Sequence, residues 1–558
     1  MRDRWWRDAV VYQIYLRSFA DGDGDGIGDL TGLRARLQYL AGLGIDAIWV
    51  NPWYPSPMVD GGYDVTDYRA IDPVFGTLAE AETLIQEAHR HGLRVLADIV
   101  PNHTSDRHPW FQAALAGGPG SLPRQRYIFR PGRGDDGRGP PNDWRSVFGS
   151  PAWTRVTEPD GHPGEWYLHL FSAEQPDLNW DHPEIRAEFE SILRFWFDRG
   201  VDGFRIDVAH GLVKAPDLPD LGIDNEDILA PPDRPGHPHW DRDGVHEIYR
   251  GWRAVADAYP EPRVFVAEAW VESSGRLARY LQPGELHAAF AFDLLRAPWR
   301  APWLRSAIEE SLAAVASVGA PATWVLSNHD VVRHVSRYGR PQPDRPLQSL
   351  AEMLAEAPTD IDLGQRRARA AALLMLALPG SAYLYQGEEL GLWEVEDLPE
   401  ELLQDPVWER SGHRERGRDG ARVPLPWSGD APPFGFSPST ATAPPWLPQP
   451  EAWKRFTAAA QRGDPESMLE LYRAALRIRR RHPALGDRTL RWLDAPPDML
   501  AFARDPGFLC LVNLSTQPVP VPAGARVLLA SSPLTAGRAL PADAAAWLAW
   551  SAKPDEAA

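Results

Sequence analysis

The stretch LRVLADIVPNH (93–103) is a nearly continuous apolar run. It follows TLAEAETLIQEAHRHG (77–92), a helical pattern with Thr77 as its cap and Gly92 as its stop. A short apolar run directly behind such a helix reads as a strand buried on both faces of a parallel sheet. Upstream, VVYQIYLRSF (10–19) and DAIWVNP (46–52) read as strands around the helix LTGLRARLQYLAGLG (30–44). Downstream, VDGFRIDVAH (201–210), RVFVAEAW (263–270), AAFAFDLL (288–295), ATWVLSNHD (322–330) and SAYLYQGEE (381–389) read as strands. The helical segments 182–200, 244–260, 301–319, 363–380 and 466–482 lie between or after them. Eight strands, most followed by a helix, predict an α/β fold with a (β/α)8 TIM barrel; an open doubly wound sheet is the alternative.

Residues 104–174, centred on PGRGDDGRGPPNDW, interrupt the alternation and predict a loop-rich inserted domain after strand 3. The barrel then comprises 1–103 and 175–486, with a Pro/Gly-rich insertion at about 390–450. Short strand-like runs such as DMLAFARD, GFLCLVNLS and ARVLLAS predict a C-terminal antiparallel β domain over 487–558.

The 558 residues are 44% hydrophobic and 24% charged, an ordinary globular balance. A net charge of −19 argues against nucleic acid or an anionic membrane as partner, and leaves a neutral small molecule open. The one cysteine, Cys510, allows no intrachain disulfide and fits a cytoplasmic location. The N-terminus lacks a signal-peptide pattern, and no apolar run is long enough to span a membrane.

In a (β/α)8 enzyme, chemistry sits at the C-terminal strand ends. There the sequence puts Asp98 and His103 (strand 3), Arg205 and Asp207 (strand 4), Glu268 (strand 5), and His329 and Asp330 (strand 7). A lone Asp at a strand end is usually a cap or surface charge; six or more such residues at one mouth are not explained that way. Glycoside cleavage needs one carboxylate as nucleophile and one carboxylic acid to protonate the leaving oxygen. Asp207 suits the first role, because Arg205 two residues away shares its face and favours the ionised form. Glu268, among apolar neighbours in FVAEAW, suits the second through a raised pKa. Asp330 suits sugar hydroxyls.

These residues lie in a set of motifs that resembles the α-amylase family, glycoside hydrolase family 13. DIVPNH (98–103), GFRIDVAH (203–210), VAEAW (266–270) and SNHD (327–330) match its four main motifs in order, and GIDAIWVNP (44–52) and GSAYLYQGEELGL (380–392) match two accessory ones. QPDLNW (175–180) is similar to the α-glucosidase and oligo-1,6-glucosidase subgroup. The resemblance implies a retaining exo-α-glucosidase with Asp207 as nucleophile, Glu268 as acid/base and Asp330 as transition-state stabiliser. It implies a glucose pocket lined by Asp60, Tyr63, His103, Phe148, Phe171, Gln175, Arg205 and His329. In RDGARVPLPW (418–427), Arg422 is the candidate partner of Asp60, closing the pocket behind the terminal sugar; Arg418 is the alternative. Val208, after the nucleophile, often accompanies α-1,6 activity in that family, but AHGLVK (209–214) and LPW (425–427) depart from the oligo-1,6-glucosidase pattern. The expected substrates are short maltose-type α-1,4 gluco-oligosaccharides, with α-1,6 links the alternative.

The loop DGDGDGIGD (21–29) spaces Asp21, Asp23, Asp25 and Asp29 as hard oxygen ligands suited to Ca²⁺ and less well to Mg²⁺. It is not an EF-hand, because Gly32 stands where the closing Glu would be. The resembling family has a structural cation on a similar loop, with Ile27 adding a backbone oxygen. No organic cofactor is expected. GRGDDG (132–137) matches G-x-G-x-x-G without a flanking strand and helix, so it is read as an ordinary loop. RRRH (479–482) is read as a cationic helix end, and His89 and His91 as surface residues. Competing readings are a transglucosylase or sucrose-acting enzyme, and a catalytically silent scaffold. Monomer and homodimer are both open.

Overall fold

The structure is a computed structural model and describes residues 4–222, 236–349, 352–353 and 357–550. Eight parallel strands form one sheet: β1 Val10–Ile14, β2 Ala47–Val50, β3 Arg94–Ile99, β4 Gly203–Ile206, β5 Val264–Ala267, β6 Ala288–Ala289, β7 Thr323–Val325 and β8 Ser381–Tyr385. The order runs β7-β8-β1-β2-β3-β4-β5-β6, and a parallel bridge from Phe290 to Thr323 joins the two ends. The sheet therefore closes into a barrel, and the doubly wound alternative is excluded. Helices α1 Leu30–Leu43, α2 Leu78–Arg90, α3 Pro183–Phe197, α4 Val245–Asp257, α5 Ser274–Arg279, α6 Ala301–Val318, α7 Ile361–Ala377 and α8 Met468–Arg481 alternate with the strands. Their ends follow the local chemistry: Thr77 and Glu80 form a capping box on α2, and Gly44 stops α1 with a left-handed φ of 101°.

The two-residue period of a strand decides what fills the barrel. Val11, Trp49, Leu96, Val266, Phe290, Val325 and Tyr383 belong to one buried apolar cluster. Two residues further on, the same face carries Gln13, Asn51, Asp98 and Glu268, and on β4 it carries Arg205 and then Asp207. A polar layer thus sits on an apolar plug at the C-terminal mouth. Most strands are shorter than their apolar runs, and AAFAFDLL gives only Ala288–Ala289 before a turn into the helix Phe292–Arg296.

Between β3 and α3, the strands Phe129–Arg130, Trp153–Thr157 and Pro163–Leu168 form a separate antiparallel sheet. Beyond α8, five strands between Arg491 and Ala549 form another antiparallel sheet, which packs on α7 through a Trp547 Nε1 bond to Leu373 O of 3.0 Å. Residues 551–558 of the expected C-terminal domain lie outside the described residues. Arg479 departs from the solvated cationic turn expected of RRRH: it is buried, and donates to Leu376 O at 2.6 Å in the last turn of α7 and to Leu378 O at 3.2 Å just beyond it. Among the described residues, no helix is long and apolar enough to cross a membrane.

Three buried carboxyls outside the catalytic mouth set a pH dependence. Burial pushes Asp64 and Glu394 up to about 7 and Glu388 up to about 8. An unfolded chain would ionise them near pH 4. Their stabilising contribution is therefore complete below that pH and is lost as pH rises through 7 and 8. Asp330 and Asp405 act oppositely: against burial, the neighbouring guanidinium groups of Arg418 and Arg422 hold them below the usual carboxylate range, so they oppose unfolding until acid pH. The melting temperature is expected to be highest at about pH 4–5 and to fall steadily towards about pH 8.5, with on the order of a few kcal/mol lost between about pH 6 and 8.5. Thermal melts across that range check it; a melting temperature that rises from pH 6 to 8.5 would contradict it.

Candidate active site

Arg205 ends β4 pointing into the mouth and is 1% exposed. Its Nη1 donates to Asp207 Oδ1 at 2.6 Å and to Asp98 Oδ1 at 3.1 Å, and its Nη2 donates to Glu268 Oε2 at 2.6 Å. The β3–β4 register sets Asp98 opposite Arg205. One guanidinium thus serves three buried carboxyls. Burial and the neighbouring carboxylates push Asp207 well up despite Arg205, and Asp98 up to about 6. Arg205, expected to favour the ionised form of Asp207, does pair with it, while burial and the other carboxylates act in the opposite direction.

Glu268 also differs from its sequence reading. Its apolar chain neighbours point away, and its oxygens accept from Arg205, from Val208 N at 3.1 Å and from Trp270 Nε1 at 3.1 Å. Val208 makes its bond from a left-handed backbone, φ 44°, which a β-branched residue adopts only under constraint. The turn directly after Asp207 thus aims a backbone donor at Glu268.

Asp330 and His329 lie on the loop beyond β7, where Asn328 Oδ1 accepts from Asp330 N at 2.8 Å. The His329 ring is held by Gln13 Nε2 on Nδ1 at 2.8 Å and stacks on Tyr63 with centroids 5.2 Å apart. Burial holds His329 neutral, and its buried Nε2 makes no hydrogen bond within the protein. Tyr63 in turn donates to Asp98 Oδ2 at 2.9 Å.

The expected pairing of Asp60 with Arg422 is not formed. Asp60 Oδ1 accepts from Arg418 Nη2 at 2.7 Å, so the alternative residue holds it. Arg422 instead donates to His329 O at 2.9 Å and to Asp330 Oδ1 at 3.2 Å. The reason is local. The 3-10 turn Asp419–Ala421 sends the two arginines to different places, and Arg422 passes beside Gly61, where a Cβ would lie 2.8 Å from Tyr15 Oη and 3.4 Å from Arg422 Nη1. Arg418 also reaches Asp330 Oδ1 at 2.9 Å, so Asp60, Arg418 and Asp330 form one chain of charges.

The inserted region and Gln175, directly after it, supply the remaining wall. Gln175 Nε2 lies 3.2 Å from Asp60 Oδ2 and 3.1 Å from His103 Nε2. Phe171 packs on His103 with centroids 5.0 Å apart and on Phe148 at 5.9 Å, and the Arg418 guanidinium lies 5.6 Å over Phe148. All twelve expected catalytic and pocket residues are therefore linked, directly or through one neighbour, in one network. Behind it, Lys214 pairs with Asp177 at 2.7 Å and donates to Asn102 Oδ1 at 2.9 Å, and Asn102, His103 and Thr104 are all buried. Sequence reasoning missed Asp405, Lys214 and the Trp270 donor. Trp270 was legible, because it lies two residues beyond Glu268.

In the Asp-rich loop, Asp21, Asp23 and Asp29 have ligand atoms within 4.8 Å of one another; Asp25 lies outside this group. Asp29 also caps α1 through Gly32 N at 2.6 Å. Among the described residues, no Lys or Arg pairs with these four aspartates.

Comparison with known proteins identifies the family and the fold. A family model described as "Alpha amylase, catalytic domain" matches residues 13–487, and one described as a domain of unknown function (DUF3459) matches 484–547. The chain is 38% identical over 539 residues to a Rhizobium meliloti protein named "Probable alpha-glucosidase", covering 92% of this chain and 90% of that one. It is 36% identical over 511 residues to the oligo-1,6-glucosidase of Parageobacillus thermoglucosidasius, covering 86% and 84%. Among solved structures, an alpha-glucosyl transfer enzyme, XgtA, superposes with a TM-score of 0.83 at 35% identity, covering 98% of this chain and 100% of that one. The trehalulose synthase MutB from Pseudomonas mesoacidophila MX-45 does so with a TM-score of 0.82 at 31% identity, covering 98% and 99%.

Proposed function

We infer what this glycoside hydrolase does from one premise: the chain belongs to the alpha-amylase family, glycoside hydrolase family 13. It is a retaining, exo-acting α-glucosidase. It releases α-glucose from the non-reducing ends of short α-gluco-oligosaccharides, with maltose-type α-1,4 links favoured and α-1,6 links also cleaved. The observation that carries this reading is the Arg418 contact to both Asp60 and Asp330, at 2.7 and 2.9 Å. A charged pair beside the third carboxylate closes one side of the pocket and offers donors and acceptors to the hydroxyls of a chain end. An internal glucose unit, substituted at that end, would leave those buried groups unmatched.

The chemistry follows from the Arg205 cluster. The Asp207 carboxylate attacks the anomeric carbon while Glu268 gives its proton to the leaving oxygen, which yields a glucosyl ester on Asp207 and a free aglycone alcohol. Water, deprotonated by Glu268, then attacks the same carbon and restores both carboxyls, so the α configuration is kept. The cycle needs one carboxyl of the pair ionised while the other is protonated, and Arg205 touches both. His329 Nε2, buried with Asp330 Oδ2 3.3 Å away and no well-aligned hydrogen bond to it, suits a sugar hydroxyl. The test is glucose release from maltose, isomaltose and sucrose against starch. Release from the disaccharides and not from starch supports the reading; release of oligosaccharides from starch opposes it.

A second reading, glucosyl transfer to a sugar acceptor, is favoured by the likeness to an alpha-glucosyl transfer enzyme and a trehalulose synthase. It shares every step up to the ester and differs only in whether water or a sugar attacks it. New oligosaccharides formed at high maltose or sucrose would identify it.

The Asp21–Asp29 loop is the proposed seat of a structural cation, Ca²⁺ before Mg²⁺. Carboxylates so close together, with no cationic side chain on them among the described residues, suit a hard divalent ion, held by Asp21, Asp23 and Asp29 with the Ile27 carbonyl nearby in the chain. Its role would be to brace the loop in front of α1. A chelator is expected to lower the melting temperature by about 2–5 °C while activity at lower temperature persists. An unchanged melting temperature, with no metal found by elemental analysis, would contradict it. A reducing cytoplasm suits the single buried Cys510.

A further inference from the structure

Arg418 presents three nitrogens to three carboxylates. Nη2 meets Asp60 at 2.7 Å and Nη1 meets Asp330 at 2.9 Å; Nε meets Asp405 at 2.5 Å. The first two face the sugar in the reading above. Asp405 faces away from it, with a side chain that is 0% exposed. It is itself firmly held: its oxygens accept from Arg418 N and Val407 N, both at 2.9 Å, and its own N–H donates to Asp419 at 2.9 Å. Asp405 Oδ2 also lies 3.8 Å from Arg422 Nη1, and Arg422 is the second arginine on Asp330.

A guanidinium is planar. Once its Nε edge is fixed, the directions of both Nη groups are fixed too. Arg418 and Arg422 converge on the same Asp330 oxygen, so two cations approach each other in a dry site. A buried anion behind them offsets that repulsion and stops either head from turning away.

We propose that Asp405 is a positioning residue of this enzyme. It fixes the heads of Arg418 and Arg422, and through them aims Asp330 and Asp60 at the terminal sugar. The inference rests on the glucosidase reading. The alternative is that Asp405 only caps the five-residue helix Pro406–Arg410, for which it accepts from Val407 N. A cap contributes to stability alone.

Asp405→Asn separates the two, because Asn also caps helices and matches Asp in size. With 4-nitrophenyl α-glucoside and maltose, kcat/KM of the variant is expected to fall about 30- to 300-fold, through a lower kcat and a higher KM together, at little change in melting temperature. The loss should also not multiply with that of Arg418→Ala. The double variant is expected within about 3-fold of Arg418→Ala alone, since both act on one interaction. Kinetics within about 3-fold of wild type, or losses that multiply in the double variant, would overturn the proposal. If the Asn variant does not fold, Asp405→Glu keeps the charge but displaces it by one methylene. About 10-fold or more loss at a wild-type melting temperature would then support the proposal, and wild-type kinetics would overturn it. Wild-type protein inactive on both substrates would instead remove the glucosidase reading, and this inference with it.

Discussion

Asp207→Asn is expected to lower turnover about 10⁵-fold without unfolding the protein. The amide cannot form the glucosyl ester, so both halves of the reaction are lost, and what remains is binding and the donors around Arg205. The same change should not reduce stability. Asp207 is buried among Asp98, Glu268 and Asp330, and that environment pushes its carboxyl well up, so a neutral side chain of the same shape removes a cost of burial. The variant is therefore expected to melt at or above the wild-type temperature. This pairing of lost activity with kept stability is typical of a group placed for chemistry rather than for folding. Steady-state rates and a thermal melt on the same preparation check it. Turnover within about 10-fold of wild type would mean that another group is the nucleophile.

The second large effect is expected at the closed side of the pocket. Asp60→Ala removes the acceptor that faces Arg418 and Gln175, at 2.7 and 3.2 Å. Arg418 keeps Asp330 and Asp405, so the fold should survive. Substrate recognition should not: breaking one partner out of a buried, hydrogen-bonded set costs about 3–5 kcal/mol, which is roughly 10²- to 10³-fold in kcat/KM on maltose. Chain ends should suffer most, because only they bring free hydroxyls to this side. Kinetics on maltose, isomaltose and maltotetraose measure it. Unchanged maltose turnover would mean that Asp60 does not meet the sugar.

The barrel was legible because its strands are short apolar runs behind capped helices, and Thr77 to His103 is one such unit. The catalytic residues were legible for the same reason: two-residue periodicity carries Asp98, Arg205, Asp207 and Glu268 from the apolar plug to the mouth. Beyond the strands this rule stops. Phe148 and Phe171 come from the inserted region and Gln175 from the residue directly after it, and only motif resemblance brought them to the pocket. The arginine partner of Asp60 was assigned to Arg422 because both candidates lie on one irregular turn, where no periodicity fixes which side chain goes where. Asp405 left no trace, since it lies in a loop before a five-residue helix and its role exists only in three dimensions. The apolar letters around Glu268 misled in the opposite way. Alternate strand residues point to opposite faces, so chain neighbours are not spatial neighbours. The donors that actually meet Glu268 come from β4, from the turn after it, and from Trp270.

The central claim is that one glucose is removed from a chain end with its configuration kept. Proton NMR of maltotetraose in the first minutes of reaction tests both parts at once. α-Glucose and maltotriose are expected as the first products, before mutarotation supplies the β anomer. β-Glucose appearing first would contradict the covalent Asp207 intermediate, and maltose as the first product would contradict the closed pocket built by Asp60 and Arg418.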